Sequence, residues 1–272
     1  SDVFITSAVL LEDGKVVAGA PEERLNRQKL YRGFPTEAIK YCLKEAECKL
    51  EDIDYIALGW NPGIHLKPSS ARFGNILRWR GEHLHAIPNA LLAFAENRQI
   101  DYIEQVLKQQ KNSIKIIYVT HHHSHAANAF YISPFRESAV LTIDGRGEED
   151  TAGFFVGRGN KIEELQLTKI PHSLGLFYGT FTEFLGFTPH SDEWKVMALA
   201  GKNFKNNRYY DKAKKMIALL SDGTFELDLK YFSYYLNDSN AWYSPKFIEL
   251  FGQPRKPDDA VTDRHYAIAA AL

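Results

Sequence analysis

Cysteine is scarce in this sequence, and several patterns that would assign it to a broad class are missing. Only Cys42 and Cys48 occur among 272 residues, too few for a disulfide framework or a thiolate metal site. No apolar run approaches the roughly 18 residues of a membrane span. The formal net charge is -1, and no long basic run predicts a nucleic-acid or membrane surface. The start at Ser1 lacks the layout of a signal peptide, so we expect a cytoplasmic protein that binds neither nucleic acid nor membrane.

Two catalytic motifs are absent as well. There is no Walker-type glycine loop, and Ser124 does not lie in a nucleophile elbow. The sequence has instead a cluster of histidines, because four of its ten fall between positions 121 and 125. An apolar run over residues 114–119 predicts a buried strand, and the alanines after the cluster predict a helix. The histidines therefore lie at a strand-to-helix junction, where Thr120 is placed to cap the helix.

Two of these histidines have the spacing of a metal site. His121 and His125 share one face of the predicted helix, with Cβ atoms roughly 5–6 Å apart. Asp144 is the best third ligand, because it ends a predicted strand, and acids at strand ends face the ligand-binding cleft of α/β proteins. Two imidazoles and one carboxylate leave coordination positions open, which suits Fe(II), Zn(II) or Mn(II). The alternative is that His121 and His125 only pack and cap, with His122 and His123 exposed.

The order of the predicted elements indicates an α/β fold. Strands and helices alternate up to the histidine helix, and a second series begins at Ser138, so two units in tandem suggest a duplicated fold. We predict a first subdomain over residues 1–137 and a second over residues 138–272. The final helix is predicted to end without a cap and with its apolar face uncovered, so we expect a piece of a longer protein. The main predicted elements are a hairpin over residues 3–20, a charged loop over 21–29, helices over 36–47, 100–110 and 173–185, and strands over 53–58, 138–144, 151–158, 162–170 and 225–235.

Four residues are weaker candidates for binding an anion. Arg24, Arg27 and Lys29 could form a cradle, since arginine binds phosphate or carboxylate in a bidentate way. A solvated charged loop is the simpler interpretation of their spacing. The backbone N–H of Gly145 could approach a phosphate, with a plain β-turn as the alternative.

Several separated segments follow one another in the order of the motifs of one family. One of them is His-His-x-Ser-His-Ala at residues 121–126. The others are Asp13-Gly14-Lys15 with Glu22-Glu23-Arg24 and Phe34-Pro35, then Thr142 to Gly145, Ser173 to Tyr178, Leu185-Gly186-Phe187, and Glu193 to Met197. Over nearly its whole length the chain thus resembles the O-carbamoyltransferases, which include nodulation and antibiotic-tailoring enzymes.

This resemblance implies a duplicated actin/sugar-kinase-like (ribonuclease H-like) fold, related to the tRNA threonylcarbamoyl-transfer proteins. The first subdomain would lack its first strand, and the second would be truncated. The resemblance also implies an iron ion, or another divalent metal, held by His121, His125 and Asp144, with a further ligand beyond Leu272. In the family, a C-terminal YrdC-like domain makes carbamoyl-adenylate from ATP and carbamoyl phosphate. The N-terminal domain then transfers the carbamoyl group to a hydroxyl of a small-molecule acceptor.

The same resemblance assigns roles to some residues and leaves others open. Arg27, Lys29 and Gly145 become candidates to bind the anionic donor. Ile5-Thr6 stands where family members have His-Asp, whose histidine is a candidate catalytic group, so no catalytic residue is assigned. Without the YrdC-like domain we expect this piece to be inactive alone. Two rivals remain: a metallohydrolase using the same three residues, and a non-catalytic nucleotide-binding module.

Overall fold

The computed structural model describes residues 6–31, 35–60, 115–202, 207–236 and 239–272. The chain divides into two compact units, Ser1–Val119 and Thr120–Leu272, which are described separately. Both contain strands and helices, so the prediction of a mixed α/β protein is confirmed. The duplicated actin-like arrangement and its subdomains stay predictions. The predicted helix over 100–110, Ile5 and Phe34 lie outside the described residues.

The first unit begins with the predicted hairpin. Strand β1 (Ser7–Glu12) pairs antiparallel with β2 (Lys15–Pro21). Asp13 and Gly14 between them have φ angles of 50° and 77°, which is the turn geometry that matches the twist of two paired strands. Helix α2 (Thr36–Glu45) contacts both strands. Its buried face carries Ala38 and Cys42, as the apolar spacing predicts.

The loop predicted over residues 21–29 is partly helical. Helix α1 (Glu22–Asn26) begins directly after β2, and the side chain of its first residue, Glu22, is buried rather than solvated. Its carboxylate accepts the backbone N–H groups of Glu37 and Ala38, at 3.2 and 2.8 Å. Farther along, β3 (Tyr55–Leu58) pairs in parallel with β4 (Lys115–Tyr118).

The second unit is built on a three-stranded antiparallel sheet. Its strands are β5 (Glu137–Ile143), β6 (Asp150–Arg158) and β7 (Lys161–Lys169), in that order across the sheet. Helix α3 (His121–Tyr131) packs on this sheet through a small core of Ala126, Phe130, Val140 and Phe155. A methyl group on Gly157 would meet the ring of Phe130 at 2.5 Å, so this glycine allows the close approach of the helix.

A larger aromatic core lies in the rest of the second unit. Phe181, Phe184, Phe247 and Phe251 are almost completely buried in it. Its elements are α4 (Leu174–Phe184), α5 (Glu193–Ala200), α6 (Arg208–Lys214), β8 (Ile217–Leu219), β9 (Phe225–Leu227), α7 (Pro245–Phe251) and α8 (Asp263–Ala269). Within the described ranges, no helix has both the length and the apolar character needed to cross a membrane.

Two predictions in this part of the chain are wrong. The strand predicted over residues 225–235 stops at Leu227, because a 3-10 turn (Leu229–Tyr231) carries the chain inward and buries Phe232 in the core. The apolar face of the last helix is not uncovered, since Ile268 and Ala269 are 0% and 1% exposed against the aromatic core.

Candidate metal centre

The predicted ligands come together where α3 begins and β5 ends. The first residue of α3 is His121, and His125 follows one turn later on the same face. Asp144 comes directly after β5, and its N–H donates to the carbonyl of Thr151 at 2.9 Å. Because α3 packs on the sheet, the start of the helix and the end of the strand lie side by side.

Three side-chain atoms converge at this junction. Oδ2 of Asp144 lies 2.7 Å from Nε2 of His121 and 3.1 Å from Nε2 of His125, and the two Nε2 atoms are 3.1 Å apart. Among the described residues, these three form the group of potential ligands that could hold a metal ion. The side chains are 20% (His121), 41% (Asp144) and 50% (His125) exposed, so an ion could reach them.

The triangle of ligand atoms matches the size of a divalent cation site. In an octahedral site with bonds of ~2.1 Å, neighbouring ligand atoms lie ~3.0 Å apart, and in a tetrahedral site ~3.4 Å. The edges of 2.7, 3.1 and 3.1 Å are close to one face of the octahedron. If these two imidazoles and one carboxylate held a divalent cation, other coordination positions would stay open for oxygen ligands.

Hydrogen bonding sets the charge of this cluster. Burial raises the pKa of Asp144, but the hydrogen bonds from His121 and His125 and from the N–H of Gly145 outweigh it and hold that pKa well below its usual range. The hydrogen bond to Asp144 raises the pKa of His125 by more than burial lowers it. Asp144 therefore stays ionised and shares the protons of the imidazoles, which a metal ion would replace.

The other two histidines of the cluster have structural roles. His122 is 2% exposed, so the alternative that placed it on the surface is wrong. Burial lowers its pKa, and the neutral ring donates from Nε2 to the carbonyl of Asp150 at 3.0 Å and accepts at Nδ1 from the hydroxyl of Thr142 at 2.8 Å. The ring of His123 packs edge-to-face on Phe155 with centroids 4.9 Å apart. His122 thus fixes α3 to both β5 and β6.

The cap of α3 differs from the prediction. Thr120 is the N-cap residue, but its side chain makes no capping hydrogen bond, because its hydroxyl bonds Nδ1 of His123 at 2.9 Å instead. The N–H of His121 donates to the carboxylate of Glu148, at 3.2 and 3.1 Å from its two oxygens. Glu148, which sequence reasoning missed, is only 2% exposed.

Two glycines let the loop after β5 approach its neighbours. A methyl group on Gly147 would lie 2.8 Å from Cβ of His121. A methyl group on Gly175, at the start of α4, would lie 2.4 Å from the backbone nitrogen of Gly145. The hydroxyl of Ser173 also donates to the carbonyl of Gly145, at 2.6 Å. The loop that carries Asp144 is thus held by one helix on each side.

The residues predicted to bind an anionic donor lie apart in sequence. Arg27 and Lys29 are exposed residues of the first unit, and Arg27 has a left-handed backbone with φ of 61°. In the second unit, the N–H of Gly145 donates to Oδ1 of Asp144 at 2.6 Å. Binding of a donor by these residues stays a prediction.

Nearly the whole chain is similar to known proteins. The sequence model of the family described as carbamoyltransferase N-terminus matches residues 4–272. The uncharacterized protein sll1178 of Synechocystis sp. is 35% identical over 98% of this chain and 44% of its own length. The nodulation protein NolNO of Sinorhizobium fredii is 35% identical over 71% of the chain and 27% of its own length. The uncharacterized protein MJ1051 of Methanocaldococcus jannaschii is 30% identical over 71% of the chain and 31% of its own length. The chain therefore spans less than half the length of each of these relatives.

Proposed function

The chain belongs to the carbamoyltransferase N-terminus family, as its motifs predict, and we propose that it is the N-terminal part of a metal-dependent O-carbamoyltransferase. The reaction would join a carbamoyl group to a hydroxyl of a small-molecule acceptor. One observation carries this proposal: His121, His125 and Asp144 converge within a triangle of 2.7–3.1 Å edges in a chain that matches the family almost from end to end.

The three converging residues would hold the metal, with Fe(II) as our first choice. A divalent cation there would act as a Lewis acid on an oxygen of the carbamoyl donor. The protein contributes the placement of the ligands. His122 anchors α3 to the sheet through Thr142 and the carbonyl of Asp150, so the two ligand imidazoles approach Asp144 from a fixed helix.

The donor in this proposal is carbamoyl-adenylate, made from ATP and carbamoyl phosphate by a YrdC-like domain of the longer protein. The hydroxyl oxygen of the acceptor bonds to the carbamoyl carbon while the bond from that carbon to the phosphate oxygen breaks. AMP leaves, and the hydroxyl proton passes to a base that we do not assign. Arg27 and Lys29 are candidates to bind the phosphate of the donor, and the N–H of Gly145 is a separate candidate. A cytoplasmic location goes with this proposal.

The transfer reaction is tested by incubating the intact protein with ATP, labelled carbamoyl phosphate and a panel of small alcohols and sugars. We expect AMP release that depends on the acceptor, together with a labelled carbamate product. Ester hydrolysis that needs neither ATP nor carbamoyl phosphate would identify a metallohydrolase instead. Nucleotide binding without any turnover would identify a non-catalytic module.

The metal is tested by elemental analysis of purified variants. We expect His121→Ala and Asp144→Asn to lose the bound metal, because each removes one of three ligands. His123→Ala is the matched control, since it removes an adjacent histidine that bonds Thr120 and is not part of the ligand triangle. Equal metal content in all three variants and the wild type would refute the site.

A further inference from the structure

A buried carboxylate outside the ligand triangle is attached directly to the metal-binding helix. Glu148 is 2% exposed, and both of its oxygens lie within hydrogen-bonding distance of the N–H of His121, at 3.2 and 3.1 Å. A carboxylate is seldom buried to this degree unless its charge is compensated. Its place at the start of α3 supplies compensation, because the N-terminus of a helix has unpaired N–H groups and a partial positive charge.

The first turn of α3 has neither an acidic residue of its own nor a side-chain cap from Thr120. Its sequence there is His-His-His-Ser, without an acidic residue. The hydroxyl of Thr120, which would normally serve as the cap, is bonded to the ring of His123. The charge of Glu148 therefore replaces both the capping side chain and the acidic residues that helices commonly have in the first turn.

The same loop carries Glu148 and the ligand Asp144. The loop is short and closed on itself, since the N–H of Gly147 donates to the carbonyl of Asp150 at 2.6 Å and the N–H of Asp144 to that of Thr151 at 2.9 Å. It reaches α3 at two points: Asp144 contacts the imidazoles, and Glu148 contacts the backbone of His121. Two attachments from one closed loop fix the distance between the ligands on the helix and the ligand on the loop.

We propose that Glu148 is a positioning residue of the metal centre, which holds the backbone of His121 in place so that its Nε2 stays within reach of Asp144. This inference rests on the proposed function in taking the site to be a metal centre, whereas the placement of His121 by Glu148 can be tested without a metal. Groups that support metal ligands in this indirect way commonly change metal affinity by about 10–100-fold when they are removed.

The test compares Glu148→Ala and Glu148→Gln with Glu149→Ala in the intact protein. Glu149→Ala removes the same charge one residue away, from a side chain that pairs with Lys169 at 3.5 Å. Binding of Co(II) is measured by its visible absorption, and thermal unfolding is measured on the metal-free protein. The metal-free variants are also labelled with ¹⁵N-histidine, because the imidazole nitrogen shifts report the hydrogen bonds from His121 and His125 to Asp144.

We expect Glu148→Ala to bind Co(II) about 10–100-fold more weakly and Glu148→Gln about 3–10-fold more weakly, since the amide can still accept one hydrogen bond. Glu149→Ala should bind like the wild type. If Glu148→Ala does not fold, the test relies on Glu148→Gln. Weaker Co(II) binding by that variant at an unchanged unfolding temperature supports the positioning role. Wild-type Co(II) affinity in the Glu148 variants that fold would overturn the inference.

The failure of this inference is distinguishable from that of the proposed function. If the wild type binds no Co(II), the proposed metal function is wrong, and the imidazole signals decide the role of Glu148. Altered shifts of His121 in the Glu148 variants, with wild-type shifts in Glu149→Ala, would support positioning. Wild-type shifts in every variant would refute it.

Discussion

Substituting alanine for Gly147 should separate α3 from the loop that carries Asp144. The added methyl group would lie 2.8 Å from Cβ of His121 and 3.2 Å from Cδ2 of His122. Cβ of His121 is fixed to the backbone, so no rotation of the side chain can relieve the first contact. An ordinary carbon–carbon contact needs about 3.5 Å or more, so the helix and the loop must move apart by roughly 0.7 Å.

A displacement of this size is large compared with the ligand triangle, whose edges are 2.7–3.1 Å. Overpacking of this kind costs about 1–3 kcal/mol of unfolding free energy, and we expect Co(II) binding to weaken by about tenfold or more. Gly145→Ala is the matched control in the same loop, because its methyl group would meet only contacts of 3.8 Å. Both changes reduce the entropy of the unfolded chain by a similar amount, about 0.4–1 kcal/mol, so the difference between the variants isolates the steric effect.

The measurements are denaturant unfolding of the metal-free protein and Co(II) titration of each variant. If Gly147→Ala matches Gly145→Ala in both, the loop and α3 can separate without cost, and the tight junction described above is wrong.

Two further predictions concern a half-buried carboxylate, Asp150, and a buried one, Glu22. Burial raises the pKa of Asp150 to about 6, against an ordinary value of 3.8. Because the pKa is higher in the folded state, Asp150 contributes most to stability below pH 3.8. That contribution is lost as the pH rises through 6. Asp150→Asn should therefore stabilise the protein at pH 7, by at most about 3 kcal/mol, and not at pH 3.5; equal stability changes at both values in a denaturant titration would contradict this. Glu22→Ala should destabilise the first unit by about 2–3 kcal/mol, because it leaves the N–H groups of Glu37 and Ala38 without their charged acceptor. Hydrogen exchange should then accelerate at these two amides, and unchanged exchange at both would show that the Glu22 carboxylate does not protect them.

Local sequence patterns predict most of the elements and the three candidate ligands. His121 and His125 can be predicted as a pair from the period of a helix alone. Asp144 can be predicted from its position at the end of an apolar strand. The hairpin turn at Asp13 and Gly14 follows from backbone preferences of two residues. These features depend on residues that are close in sequence, so a pattern of a few residues is enough to predict them.

The missed features depend on partners that are distant in sequence. Glu148 contacts His121 across 27 positions, and Gly175 meets Gly145 across a strand pair. One signal does exist, because the first turn of α3 has no acidic residue, which suggests a cap from elsewhere. The sequence cannot say which of the three acids at 148–150 supplies it, since only the packed loop brings one of them to the helix.

The loop is attached to α3 at Asp144 and at Glu148, and only one of these attachments can persist once a metal is bound. The hydrogen bonds from His121 and His125 to Asp144 use the same atoms that a cation would coordinate, so metal binding must break them as the imidazole protons are displaced. The contact of Glu148 with the N–H of His121 uses no ligand atom and can persist. The metal-free site is therefore held closed by both attachments, whereas with a metal bound the backbone contact of Glu148 would be the one that remains beside the metal itself. Loss of Glu148 should therefore destabilise the metal-bound site more than the metal-free site. A larger loss of stability in the bound state is what lowers the metal affinity.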